Sequence, residues 1–160
     1  MKKAVILIVS LGLLIVIWVI FGTLKGKEPQ EEFSVVKVFF NNNKIDPEFS
    51  CNKVFPVERE ISKTEAVARA AIEELLKGPT SKEKSEGFFT SINPGVKIQK
   101  LTIEDGVVKI DFDEQLEFQV GGSCRVAAIR AEISQTLKQF PTVKEVIISI
   151  NNRTEDILQP

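Results

Sequence analysis

The dipeptide Asp105-Gly106 constrains this chain more than any other feature. A two-residue type I′ turn needs positive φ at both central positions, and Asp-Gly meets that demand between two apolar-polar alternations. Placing the turn there sets the register. Glu104 faces Val107, Ile103 faces Val108, Leu101 faces Ile110, and Gln99 faces Phe112. Side chains alternate along a strand, so Leu101, Ile103, Val108, Ile110 and Phe112 share one face. The opposite face pairs Thr102 with Lys109 and Lys100 with Asp111, a wet surface with one opposite-charge pair. Val96 and Ile98 fall out of phase with Leu101 and Ile103, which predicts a bulge near Lys100.

Composition excludes several classes of function. The 160 residues carry a net charge of −1 with both signs interspersed, which argues against a nucleic-acid partner. The chain has no His and no Tyr. That removes the commonest general base, the commonest metal ligand and every His-activated nucleophile. Ala4 to Leu24 is uncharged and rich in Ile, Leu and Val behind the basic head Met1-Lys2-Lys3. As a helix it would span about 31 Å, enough to cross a bilayer core. The run is longer than a signal-peptide core and no small-x-small site closes it. An uncleaved transmembrane anchor is therefore expected over residues 1–24, with a cleaved secretory signal as the alternative. The short basic head stays inside and the domain lies outside the membrane. Residues 25–33 form a polar tether, and residues 34–160 form one domain of ordinary size.

The domain reads strand, helix, strand, strand, helix, strand. Phe33 to Phe40 places Val36, Val38 and Phe40 on one face, and Asn41-Asn42-Asn43 ends it. A loop with a short extended piece near Val54 to Glu58 follows. Ser62-Lys63-Thr64-Glu65 has the form of a capping box. It precedes a helix with the stripe Val67, Ala68, Ala71, Ile72, Leu75 and Leu76, closed by Lys77-Gly78-Pro79. Thr80 to Gly95 reads as a polar loop. After the hairpin, a second helix spans about Cys124 to Gln139, with Val126, Ile129, Ile133, Leu137 and Phe140 on one side. Lys144 to Ile150 is the last strand, and Asn151 to Pro160 has no pattern. The expected fold class is α+β, a two-layer βαββαβ domain with two helices on one face of a mostly antiparallel sheet.

Four groups of residues invite a functional reading. Cys51 and Cys124 are the only cysteines. An external domain permits a disulfide between them, and two separate thiols are the alternative, because sequence gives no Cα spacing. Asp111, Asp113, Glu114 and Glu117 could supply carboxylates for glycoside hydrolysis or a cation site, but the absence of a Gly-bracketed calcium loop favours a solvated face. Gly121-Gly122-Ser123, with Arg125 and Arg130 close by, could greet an anion, against ordinary helix capping. Phe88-Phe89 is either a partner-binding patch or part of the core. No catalytic, cofactor-binding or metal-ligating set emerges, and no cofactor is expected.

Several runs in this order resemble the GerMN domain of bacterial sporulation and germination proteins. They are Val36-Lys37-Val38-Phe39-Phe40, Pro56-Val57-Glu58-Arg59-Glu60-Ile61 and Ala71-Ile72-Glu73-Glu74-Leu75-Leu76-Lys77-Gly78-Pro79. Leu101 to Phe112, Gly121-Gly122-Ser123 and Thr136-Leu137-Lys138-Gln139-Phe140-Pro141 complete the set. This chain holds a single copy, and Asn151-Asn152 stands where that family would be expected to have Gly. The resemblance implies a fold similar to the ring-building motifs of sporulation secretion complexes. It also implies a non-catalytic part in envelope assembly or peptidoglycan-linked work. The expected partners are envelope proteins, peptidoglycan or further copies of the chain, with no nucleic acid. The rival classes are a carboxylate-dependent cell-wall hydrolase and a small-ligand or cation sensor.

Overall fold

The computed structural model describes residues 32–159. The anchor and nearly all of the tether expected from the sequence lie outside those residues. Among the described residues, no helix is long and apolar enough to cross a membrane.

Strand β1 (Phe33–Asn42) opens the domain. Its alternation places Val36, Val38 and Phe40 inward, each almost wholly buried. Strand β2 (Phe55–Ser62) pairs with it antiparallel, from Phe33 opposite Ser62 to Phe40 opposite Phe55. β2 is thus longer than the expected piece near Val54 to Glu58, because its partner strand extends the whole way. That pairing also overrules the capping box at Ser62, which closes a strand instead of starting a helix. Helix α1 (Val67–Leu76) begins later, with Ala66 at its N-cap and no side-chain cap. Its buried stripe is Ala68, Ala71, Ile72 and Leu75. Gly78, at φ +73°, provides the left-handed exit.

The segment after Gly78 is not all loop. Thr80 and Glu83 form a reciprocal capping box on a short helix α2 (Ser81–Ser85). Glu83 turns its carboxylate onto Arg59 of β2, with Nη1–Oε1 at 2.5 Å and Nη2–Oε2 at 2.6 Å. Burial would raise the Glu83 pKa, but the Arg59 guanidinium and the Thr80 amide outweigh it and hold the carboxyl below its ordinary value. Strand β3 (Phe88–Phe89) then pairs antiparallel with Asn41 and Asn42. Gly87 precedes it at φ +97°, where a Cβ would meet the Asn43 side-chain oxygen at 2.7 Å.

Strands β4 (Ile98–Glu104) and β5 (Val107–Phe112) form the expected hairpin, with Asp105 at φ 52° and Gly106 at φ 85°. Glu104–Val107, Ile103–Val108, Thr102–Lys109, Leu101–Ile110 and Lys100–Asp111 pair as predicted. Beyond Lys100 the register slips, so Ile98 and not Gln99 faces Phe112. The bulge returns Ile98 to the core side, against which it packs. Val108, Ile110 and Phe112 are fully buried, whereas Ile103, near the hairpin tip, is exposed. A 3₁₀ turn (Glu114–Leu116) and helix α3 (Ser123–Lys138) lead to β6 (Glu145–Ile150), which runs parallel to β5. A parallel neighbour requires such a crossover.

Among the described residues the architecture is α+β, with one antiparallel and one mixed three-stranded sheet, ordered β2-β1-β3 and β4-β5-β6, and three α-helices. This corrects the expected single βαββαβ sheet with two helices. The reason is visible on β1. Gln139 accepts from the Lys37 amide at 2.7 Å and donates to the Lys37 carbonyl at 2.6 Å. Thr136 Oγ1 accepts from the Phe39 amide at 3.1 Å. The end of α3 therefore occupies the edge of β1 where another strand could otherwise pair. Gln139→Ala is expected to cost about 1 kcal/mol and to speed amide exchange at Lys37 specifically, measured by NMR hydrogen exchange.

One core cluster joins both sheets with helices α1 and α3, with Phe40, Ile72, Leu75, Ile110, Phe112, Ile129, Ile133 and Leu137 buried in it. The tail is part of it. Ile157 and Leu158 are almost fully buried, and Arg130 donates to the Ile157 carbonyl at 3.1 Å. Two apolar residues give no periodicity to detect, so the sequence showed no pattern there.

Candidate functional site

The acidic group beyond the hairpin is a clasp, and its members point to different tasks. Asp111 is buried, which corrects its expected place on a solvated face. Its Oδ1 accepts from Ser149 Oγ at 2.6 Å and from the Asn152 amide at 2.8 Å. Asp113 accepts from the Lys97 amide at 3.0 Å, and its own amide donates to the Lys97 carbonyl at 3.1 Å. Glu114 accepts from Asn151 Nδ2 at 3.1 Å. Glu117 takes Arg153 on one oxygen and the Leu158 amide on the other. The four carboxylates thus tie the entry to β4 and the C-terminal tail onto β5. Among the described residues, no group of three or more His, Cys, Asp or Glu could hold a metal ion.

The glycine pair is equally committed to the fold. Gly122, at φ 86°, is the N-cap of α3 and Ser123 is its first residue, so no serine side chain caps this helix. The two arginines work inside the protein. Arg125 donates to Asn93 Oδ1 at 2.6 Å, the Gln119 carbonyl at 3.1 Å and the Ser91 carbonyl at 3.4 Å. Arg130 holds Ile157. Phe88 packs against the core, while the Phe89 ring lies 5.4 Å from that of Phe49. Cys51 and Cys124 are joined, with their Cα atoms 4.9 Å apart, and fasten the loop after β1 to the first turn of α3.

Glu132 was not singled out by the sequence reading, and it is the most unusual group in the domain. It sits in the middle of α3 with no exposed surface. Thr90 Oγ1 donates to one oxygen and the Ser91 amide donates to the other at 2.8 Å. No cation meets it. Burial raises its pKa to about 8, and the two hydrogen bonds only moderate that rise. The signal lay in its spacing, because Glu132 follows buried Ala128 by four and Ile129 by three, inside the apolar arc.

Glu132 and Arg125 together pin the strip Thr90–Asn93 onto α3. The strip also helps to line a cleft of about 450 Å³, together with Leu76, Lys77, Gly78, Pro79, Lys84, Phe89 and Pro94. A smaller depression of about 300 Å³ lies on the outer face of the second sheet, among Lys100, Thr102, Lys109, Ile147 and Ser149. Neither brings together a nucleophile, a base and an oxyanion donor. The architecture is that of a small α+β domain in which the acidic cluster, Arg125, Arg130 and Glu132 hold groups of its own fold.

The comparisons give the narrower assignment. The family model described as Germane, sporulation and spore germination, matches residues 37–156. The chain belongs to the Germane family. The tandem GerMN domains of the sporulation protein GerM from Bacillus subtilis are similar at 26% identity, with a TM-score of 0.61. The likeness covers 81% of this chain and 43% of that one, so this chain spans under half the length of that relative. The first GerMN domain of the same protein matches at 19% identity and a TM-score of 0.56, covering 76% of this chain and 85% of that chain. No curated protein matches the sequence.

Proposed function

We propose that this protein is a non-catalytic, membrane-anchored binding and assembly module of the cell envelope, serving sporulation or germination. The observation that carries this reading is the use of the reactive side chains. Asp111, Asp113, Glu117, Arg125, Arg130 and Glu132 all hold backbone or side-chain groups of the same domain. A hydrolase needs two carboxyl groups free to meet substrate from opposite sides. Here Asp111 and Asp113 are occupied by separate segments. What remains accessible is strand edges and sheet faces, which suit contact with other macromolecules.

Two measurements on the full chain test it. Cell fractionation should recover the protein with the membrane. Purified cell-wall sacculi incubated with it should release no soluble muropeptides. Release that disappears in the Asp111→Asn, Asp113→Asn variant would overturn the non-catalytic reading, and recovery in the cytosol would overturn the envelope reading.

A further inference from the structure

Strand edges attract other strands unless something blocks them. Among the described residues there are four outer strands, and three of them carry a block. β2 has Pro56, and it presents Glu58 and Glu60 to solvent. β3 is only Phe88–Phe89, too short to template a partner. β4 is bulged at Gln99, and the Ile98 carbonyl accepts from Arg69 at 3.4 Å.

β6 has no such device. Its sequence is Glu-Val-Ile-Ile-Ser-Ile, strongly β-forming, with one charge at its start. It pairs with β5 in unbroken register from Glu145 to Ile150, and no other strand flanks it among the described residues. The direction of its free backbone groups follows from its bonds. The Glu145 and Asn151 amides donate to Gly106 and Phe112 on the β5 side, while the Ile150 amide points the other way, to Arg153. Backbone direction alternates along a strand, so the N–H and C=O groups of Val146 and Ile148 face the open edge. The Ile150–Arg153 bridge closes the edge beyond them.

We infer that β6 pairs antiparallel with β6 of a second copy about a twofold axis at Ile147. The inference rests on the assembly reading above and names its partner. In this register Val146 opposes Ile148 of the other copy, and Ile148 opposes Val146. Each of these pairs exchanges two backbone hydrogen bonds. Ile147 meets its own copy on the outer face as a non-hydrogen-bonded pair, where Cα atoms approach within about 4.5 Å. Glu145 faces Ser149, so no like charges are opposed, and self-pairing has the complementarity that an isologous interface requires. The product is one continuous six-stranded sheet, β4-β5-β6-β6-β5-β4. The contact is small, which suits molecules concentrated in one membrane by their anchors.

The test uses the full chain in its own membranes. Ile147→Cys puts a thiol on the axis, with the native cysteines bridged to each other. Oxidation should yield a covalent homodimer, and Glu58→Cys on the β2 edge should not. Val146→Pro removes a donor facing the open edge and no bond to β5, and should cut the Ile147→Cys dimer about tenfold. For the unaltered purified chain, exchange of the Val146 and Ile148 amides should slow as concentration rises. The inference is overturned if Ile147→Cys stays monomeric, if Glu58→Cys cross-links equally, or if those amides exchange at a concentration-independent rate. Cross-linking of Ile147→Cys to a different protein would also overturn self-pairing, while leaving the assembly reading standing.

Discussion

Glu132→Gln is expected to stabilise the domain by about 3 kcal/mol at pH 7, with a gain that grows to about 5 kcal/mol at pH 9 and vanishes near pH 4. The sign follows from the proton. Glu132 has a pKa near its ordinary value of 4.5 in the unfolded chain and about 8 in the fold. Below pH 4.5 it is neutral in both states, and its contribution to stability is fully present. As pH rises from 4.5 to 8, folding must take up a proton, so stability falls along the whole interval. Above 8 the buried group ionises, with no cation among the described residues to meet it. Gln has nearly the same shape and no charge. Its oxygen can accept from the Ser91 amide, and its NH₂ can donate to Thr90 Oγ1 once that hydroxyl turns from donating, as it does to Glu132, to accepting. Urea unfolding of both proteins at pH 4, 7 and 9 measures the difference. Equal pH profiles for the two would show that Glu132 does not titrate in this interval. Glu132→Leu is the informative contrast. It also removes the ionisation, but leaves the Ser91 amide without an acceptor, so it should fall below Gln at every pH by about 1–3 kcal/mol.

The same residue marks how far the sequence could be read. Where one local rule had no competitor, the reading was right. The Asp105-Gly106 turn and its alternation gave the hairpin pairs through Lys100, and the phase break gave the bulge. The stripes of α1 and α3 gave their buried faces. Where two local signals competed, long-range pairing decided. Ser62–Glu65 and Thr80–Glu83 both have the capping-box form, and only the second caps a helix, because β1 captures Ser62 as a strand end. β3 exists only because Asn41 and Asn42 pair with it. The sheets separate because Thr136 and Gln139 reach across from a helix about a hundred residues away in sequence. The candidate site shows the same division. Acidic residues could be located from sequence, but their partners, Ser149, Asn152, Lys97 and the tail, are set by the fold.

Removing the bridge with Cys51→Ala and Cys124→Ala is expected to cost about 4 kcal/mol. The bond closes a loop with a sequence separation of 73, which encloses β2 through β5 together with α1 and α2. Without it the unfolded chain gains the entropy of opening that loop, and this dominates the loss on the chain-entropy account. The unfolded chain also becomes less compact, so the urea m-value should rise along with the fall in midpoint. In the native state the effect should be local. The first part of the 43–54 segment is held independently, because Asn42 Oδ1 accepts from the Lys44 and Ile45 amides, and Asp46 accepts from the Ser50 amide and hydroxyl. Residues near Cys51 lose their tie to α3, so amide exchange should rise around Cys51–Lys53 and at the first turn of α3, and stay unchanged from Lys44 to Ile45. A reductant should reproduce the shift in the unaltered protein and have no effect on the double alanine variant. A fall in midpoint with an unchanged m-value would assign the stabilisation to the folded contacts of the bridge instead of the opened chain.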